Sequence, residues 1–286
     1  MSGGIFNAEQ LTAYERDGYV LVRNLFDAEE VDLLRRAAKE DREMDLNAFG
    51  RDDGEGGSVR LSLWNHPGDD LYGMFARGHR IVDTVEQVLG DEAYHYHSKM
   101  VMKQAVTGGA WEWHQDYGYW YENGVLEPNL CSVFTAVDAA TKENGCLQVL
   151  KGSHHMGRVT HVKVGDQTCA DPDRVAAASE QQELVYVEME PGDSLFFHSN
   201  LLHRSDQNRS PNDRWALICC FNAKQNSPYK EGPHPCYTPL NKVDDAAIKQ
   251  VGVKRFADAG GNDSFLAVKH AATSDAIVGQ DSADNE

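Results

Sequence analysis

Trp111-Glu112-Trp113-His114-Gln115-Asp116-Tyr117-Gly118-Tyr119-Trp120 decides how the rest of this sequence is read. Aromatic residues crowd both flanks of a His-x-Asp, which favours a strand. In a strand, residues i and i+2 share a face, so His114 and Asp116 are expected side by side with Gln115 opposite. An imidazole and a carboxylate so placed are two thirds of the 2-His-1-carboxylate face that holds Fe(II) and leaves coordination positions open. One His-x-Asp does not make a metal site. A distant histidine has to complete it.

The complement lies in Ser194-Leu195-Phe196-Phe197-His198-Ser199-Asn200-Leu201-Leu202-His203-Arg204-Ser205. His198 and His203 are five residues apart, so in a regular strand they point oppositely and only one can be the ligand. His198 reads more simply as a packed strand residue. Beyond a polar turn, Arg214 opens the apolar run Trp215-Ala216-Leu217-Ile218. A hairpin of this kind sets an arginine near a histidine inside a barrel, and a buried arginine needs an anion. A dicarboxylate that chelates a metal at one end would present its far carboxylate there.

Composition limits the alternatives. The 286 residues carry a formal charge of −18, which argues against nucleic acid and anionic membrane surfaces as partners. No run approaches the ~18 apolar residues of a membrane span. Met1-Ser2-Gly3-Gly4 has no basic stretch leading into an apolar one, so no signal peptide is expected. Six cysteines without CxxC spacing read as reduced core thiols of a cytoplasmic protein.

Along the chain, Asn7 to Gln10 and Asp27 to Glu30 are capping boxes. They predict helices to about residue 17 and about residue 44, with a strand over 19–22 between them. Residues 47–58, rich in Gly and Asp, read as a mobile loop and a candidate lid. A third helix is expected over 80–89, stopped by Gly90. From residue 94 short strands take over, at 94–102, 111–117, 130–137, 145–150, 184–189, 194–202 and 215–222, with a helical insertion at 170–182. Many short strands after helices that can cover one sheet predict a mainly β jelly roll with helical padding. Residues 1–270 are expected to form a single catalytic domain, and the acidic tail 271–286 to be disordered.

The combination of His114-x-Asp116, His203-Arg204-Ser205 and Arg214 resembles the phytanoyl-CoA dioxygenase family. So do the opening from Leu11-Thr12 to Gly18-Tyr19-Val20 and the segment from Glu143-Asn144-Gly145 to Gly152-Ser153-His154. The resemblance implies a double-stranded β-helix. It also implies Fe(II) held by His114, Asp116 and His203, with 2-oxoglutarate and O2 as co-substrates. It gives the distal carboxylate of 2-oxoglutarate to Arg214 and Ser205, and places Lys99 and Trp111 near the co-substrate. The His-x-Asp-x-x-x-Trp pattern is also similar to the ectoine hydroxylases, where that tryptophan lines the substrate pocket. Trp120 is therefore expected on the pocket wall, with Tyr117 or Tyr119 close by.

The implied reaction is hydroxylation of an unactivated C–H bond of a small metabolite, with release of succinate and CO2, by a monomer or homodimer. Desaturation or ring closure on the same iron, and a non-catalytic jelly-roll binding module, are the competing readings. The structural alternatives for single residues are plain. Lys99 and Lys103 can be snorkelling lysines, His154 and His155 turn residues, His95 and His97 supporting or surface groups, and Trp113 core.

Overall fold

The computed structural model describes residues 3–164 and 167–257. The tail expected at 271–286 lies outside them.

Both capping boxes form. The Asn7 side chain accepts from the Gln10 amide while the Gln10 side chain accepts from the Asn7 amide, and α1 runs Ala8–Asp17. Gly18 ends it at φ 83°, a left-handed conformation that costs glycine least, and β1 (Tyr19–Val22) follows. Asp27 and Glu30 repeat the device for α2 (Ala28–Glu40). That helix stops short of the expected residue 44. Asp41 turns extended and its side chain accepts from the Met44 amide, which caps a separate short helix, α3 (Arg42–Leu46).

The expected loop at 47–58 is instead the start of a hairpin. β2 (Phe49–Asp52) pairs with β3 (Ser58–Trp64), Phe49 opposite Leu61 and Asp52 opposite Ser58. Asp53 builds the turn by accepting from the Glu55 and Gly57 amides. Backbone pairing, not side-chain periodicity, makes this strand, so no apolar alternation announced it.

Next come α4 (Leu71–Arg77), α5 (His79–Leu89) and β4 (Ala93–Lys103). β5 (Trp111–His114), α6 (Asp116–Glu122), β6 (Leu130–Ala136) and β7 (Leu147–Leu150) follow. A small hairpin of β8 (His161–Val164) and β9 (Gln167–Ala170) precedes α7 (Pro172–Gln181), the expected insertion. The chain continues through β10 (Leu184–Val187), β11 (Ser194–His198), β12 (His203–Ser205), β13 (Arg214–Ala223) and α8 (Ala247–Ala257).

A seven-stranded sheet, in the order β1-β11-β6-β13-β4-β3-β2, faces a four-stranded sheet, β10-β7-β12-β5. The named pairings within both are antiparallel, and the result is a jelly roll. Strand parity decides which core each residue joins. Met100, Met102, Cys131, Val133, Leu217 and Cys219 point outward to a core shared with α2, α4 and α5. Phe134, Ala136, Ala216, Ile218 and Cys220 point inward against Leu147 and Val149 of the small sheet. Each fully buried large apolar side chain contributes about 1.5–3 kcal/mol. The helices thus cover one face of the large sheet, which leaves its other face to enclose a cleft.

The expected strand 194–202 is two strands in two sheets. β11 ends at His198, the chain crosses over, and β12 begins at His203 in the smaller sheet. His198 and His203 are therefore separated by a change of sheet, not by strand parity. The cysteines are free, five of them buried and Cys236 exposed. No helix among the described residues is long and apolar enough to cross a membrane.

Candidate active site

The strand expected over 111–117 ends at His114. Gln115 turns the chain, and Asp116 is the first residue of α6. No ladder continues because the Gln115 amide donates to His161 Nε2 and the Tyr117 amide to the Ser199 carbonyl. The buried Gln115 side chain fixes the turn, donating to the Gly157 and Asn200 carbonyls and accepting from the Val159 amide. A Cβ on Gly118 would lie 1.9 Å from the His161 ring, so glycine is required where this turn closes. His114 and Asp116 still converge, through a strand-to-helix corner and not along one strand face.

His203 stands directly opposite His114 across the β5–β12 pair, their ring centroids 4.0 Å apart. Nδ1 of His114 lies 2.8 Å from the Glu112 carbonyl, and Nδ1 of His203 lies 2.9 Å from the Leu201 carbonyl. A carbonyl only accepts, so each Nδ1 carries the proton and each Nε2 keeps its lone pair. Both Nε2 atoms are 3.9 Å from Asp116 Oδ1. The other carboxylate oxygen, Oδ2, accepts from the Ser132 hydroxyl at 2.7 Å, which leaves Oδ1 turned to the histidines. The ligand atoms of these buried residues lie within 4.8 Å of one another, a grouping found nowhere else among the described residues. Burial holds both imidazoles below their ordinary pKa, in the neutral form that ligates metal. Two neutral nitrogens and one carboxylate oxygen fit an iron(II) ion.

A cleft opens beside the triad, lined by His114 and His203 and, further along, by Ser205 and Arg214. Arg214 is 2% exposed. Its Nη2 donates to the Gly145 carbonyl at 3.0 Å, while Nε has no partner. Gly145 sits at φ 74° with the Asp206 carbonyl 2.1 Å from where a Cβ would be, so only glycine at this position can present its own carbonyl to the arginine. Burial lowers the guanidinium pKa to about 10.

The remaining expected residues divide. Trp111 lines the cleft, its ring centroid 6.1 Å from that of His114. Lys99 lines it too, but its ammonium lies 3.9 Å from Asp116 Oδ1, so it stands at the triad and not beside Arg214. Tyr119 approaches His114 at 5.6 Å and donates to the Thr168 carbonyl. Trp120 and Tyr117 are absent from the cleft lining. The helical turn after Asp116 sends them into the core, Trp120 against Tyr96 and His97 and Tyr117 onto the Leu126 carbonyl. His198 packs near Tyr14 and His154, and its Nδ1 accepts from the Asn200 amide. His95 and His97 are both buried, not surface groups. The sequence reading passed over Ser132, Gln115 and the position of Lys103. For Lys103 the signal was present, because Lys99, Val101 and Lys103 alternate onto one face of β4.

The sequence profile described as Phytanoyl-CoA dioxygenase (PhyH) matches residues 14–216. L-proline trans-4-hydroxylase of Streptomyces griseoviridis is 32% identical over 203 residues, covering 65% of this chain and 74% of that protein. Ectoine dioxygenase of Bordetella bronchiseptica is 29% identical over 247 residues, covering 80% of each. The crystal structure of EctD from S. alaskensis with bound Fe aligns with a TM-score of 0.68 at 26% identity, covering 81% of this chain and 82% of that one. Profile, relatives and solved structure agree with the architecture and the clustered His, Asp and His side chains: the chain belongs to the phytanoyl-CoA dioxygenase family.

Proposed function

We propose that this protein is an Fe(II)- and 2-oxoglutarate-dependent dioxygenase that hydroxylates an unactivated C–H bond of a small-molecule metabolite. The observation that carries the reading is the triad with its fixed tautomers, two Nε2 lone pairs and Asp116 Oδ1 facing one another beside a buried arginine with a donor to spare. His114, Asp116 and His203 would hold the iron. Arg214 and Ser205 would bind the distal carboxylate of 2-oxoglutarate, the arginine because its planar fork matches a carboxylate and remains charged when buried. Iron, when bound, would supply oxidative decarboxylation of 2-oxoglutarate to succinate and CO2 with O2 as the oxidant, one oxygen atom entering succinate and the other the substrate C–H bond. Ser132 orients the carboxylate ligand, and the Glu112 and Leu201 carbonyls orient the imidazoles. Trp111 and Lys99 border the reacting space.

Relatives named for proline and ectoine support a compact metabolite as the primary substrate. A cytoplasmic location, consistent with the free cysteines, and a monomer or homodimer belong to the same reading. The test follows succinate release over a panel of small amino acids and cyclic solutes, with product mass. Substrate-dependent succinate and a product heavier by one oxygen atom are expected. A product lighter by two hydrogens would assign desaturation or ring closure, and no succinate from iron-loaded protein over the whole panel would leave the fold without this activity.

A further inference from the structure

His161 opens the β8–β9 hairpin, a two-stranded sheet of its own beside β5. Three hydrogen bonds tie it to the turn between the first two ligands. The Gln115 amide donates to His161 Nε2 at 3.1 Å, His161 Nδ1 donates to the Val159 carbonyl at 2.9 Å, and the Val159 amide donates to Gln115 Oε1 at 2.7 Å. The three bonds form a closed circuit in which each residue donates once and accepts once.

The tautomer of His161 is fixed from both sides. A carbonyl only accepts, so Nδ1 carries the proton; an amide donates, so Nε2 offers its lone pair. Burial holds His161 below its ordinary pKa, in the neutral form that both bonds require. The ring is also seated closely. Its Cε1 lies 1.9 Å from where a Cβ of Gly118 would stand, and Tyr119 meets it edge-on at 5.3 Å.

Gln115 stands between His114 and Asp116, and its side-chain bonds to Gly157, Asn200 and Val159 fix where the residue sits. They do not fix how the peptide plane joining His114 to Gln115 is turned. The N–H of that plane is the one His161 accepts. A buried amide without an acceptor is costly, so losing Nε2 would favour turning the plane toward another partner. Such a turn swings the Asp116 carboxylate relative to the His114 ring. The same hairpin grips β5 a second time, where Gln167 Oε1 accepts from the amide of Glu112, whose carbonyl orients His114.

We propose that His161 is a positioning residue for the metal centre: through the Gln115 amide it sets the relative placement of the His114 and Asp116 ligands. The inference rests on the iron reading above. A histidine that only pinned Val159 would act through Nδ1; a histidine that sets the ligands acts through Nε2.

The test is anaerobic titration of Fe(II) into the wild-type protein and three variants, with the melting temperature of each. Glutamine places its amide group about where Nε2 stands, and asparagine about where Nδ1 stands. His161→Gln therefore keeps an acceptor for the Gln115 amide, His161→Asn keeps a donor for Val159, and His161→Phe keeps a ring with neither. His161→Phe and His161→Asn should weaken Fe(II) roughly tenfold, while His161→Gln should stay within about threefold of wild type whatever its melting temperature. Unchanged Fe(II) affinity in His161→Phe, recovery by asparagine and not glutamine, or losses that simply follow the melting temperatures would each overturn the proposal. If His161→Phe does not fold, the glutamine–asparagine pair decides, and equal affinities or failure of His161→Gln to fold would overturn it. Wild-type protein that takes up no iron would instead overturn the iron reading itself.

Discussion

Arg214, Lys103 and Ser205 at one end of the barrel interior, and Tyr96, His97, Trp120 and His234 at the other, are buried in opposite chemical manners. Lys103 and His97 are six residues apart on β4, about 20 Å at strand rise. At the first end two cations face each other with no carboxylate, and Arg214 Nε is unpartnered. At the second, His97 and His234 stack at 4.6 Å, and the Trp120 ring meets His97 at 5.6 Å. Burial pushes the His234 pKa down to about 3 and His97 well below its ordinary value, so this end is neutral. A neutral imidazole can be buried at modest cost, while a guanidinium cannot. The charged end therefore specifies a ligand by what it lacks. The aromatic end has no charge left to satisfy, and the unpartnered His97 Nδ1 there belongs to a neutral ring. Between them lies the triad.

The largest effect expected is at the triad. His114→Ala, Asp116→Ala and His203→Ala should each abolish turnover with the fold intact by circular dichroism, and His198→Ala should be far milder. Loss of iron in His198→Ala with iron retained in His203→Ala would transfer the third ligand.

Trp120→Ala comes next, and it divides the two ends most sharply. A buried aromatic truncated in a packed cluster costs about 3–5 kcal/mol, so the melting temperature should fall while 2-oxoglutarate affinity stays near normal. Unchanged stability with a raised KM for the primary substrate would return Trp120 to the substrate pocket.

At the charged end, Arg214→Ala should weaken 2-oxoglutarate by roughly 30-fold to a few thousand-fold, from the 2–5 kcal/mol typical of a broken buried charge pair. Arg214→Lys should recover only part of this, because a point charge does not reproduce the fork. A large loss in Lys99→Ala with near-normal Arg214→Ala would give the anchoring role to Lys99. The smallest of these effects is at Ser132. Its removal frees one carboxylate oxygen of Asp116, and Ser132→Ala should reduce iron affinity or turnover by roughly 10–100-fold. No change in either would leave Ser132 a packing residue.

Much of this was legible because strand parity and capping are local. The capping boxes at Asn7 and Asp27, the strands at 130–137 and 215–222, and the jelly-roll class follow from side chains a few residues apart. His114, Asp116 and Arg214 stood out as chemically unusual positions, whereas the choice of His203 over His198 came only from the family resemblance; the structure clusters His114, Asp116 and His203. What was not legible depends on partners distant in sequence. His161 and Ser199 take the amides that would have continued the strand past His114, so Asp116 opens a helix and Trp120 turns inward. The crossover between His198 and His203 is set by the sheet each strand joins, which no apolar alternation encodes. Lys99 and Lys103 share one face of β4, and only the registers of β12 and β13 reveal that Lys103, not Lys99, reaches Ser205.

The most direct test of the account is anaerobic addition of Fe(II) and then 2-oxoglutarate to the wild-type protein, read in the visible region. The account predicts one iron per chain and a weak charge-transfer band that appears only when both are present and is absent in Asp116→Ala. A well-folded protein that takes up iron without the band, or develops it equally in Asp116→Ala, would contradict the assignment of this triad as the centre that holds iron and co-substrate together.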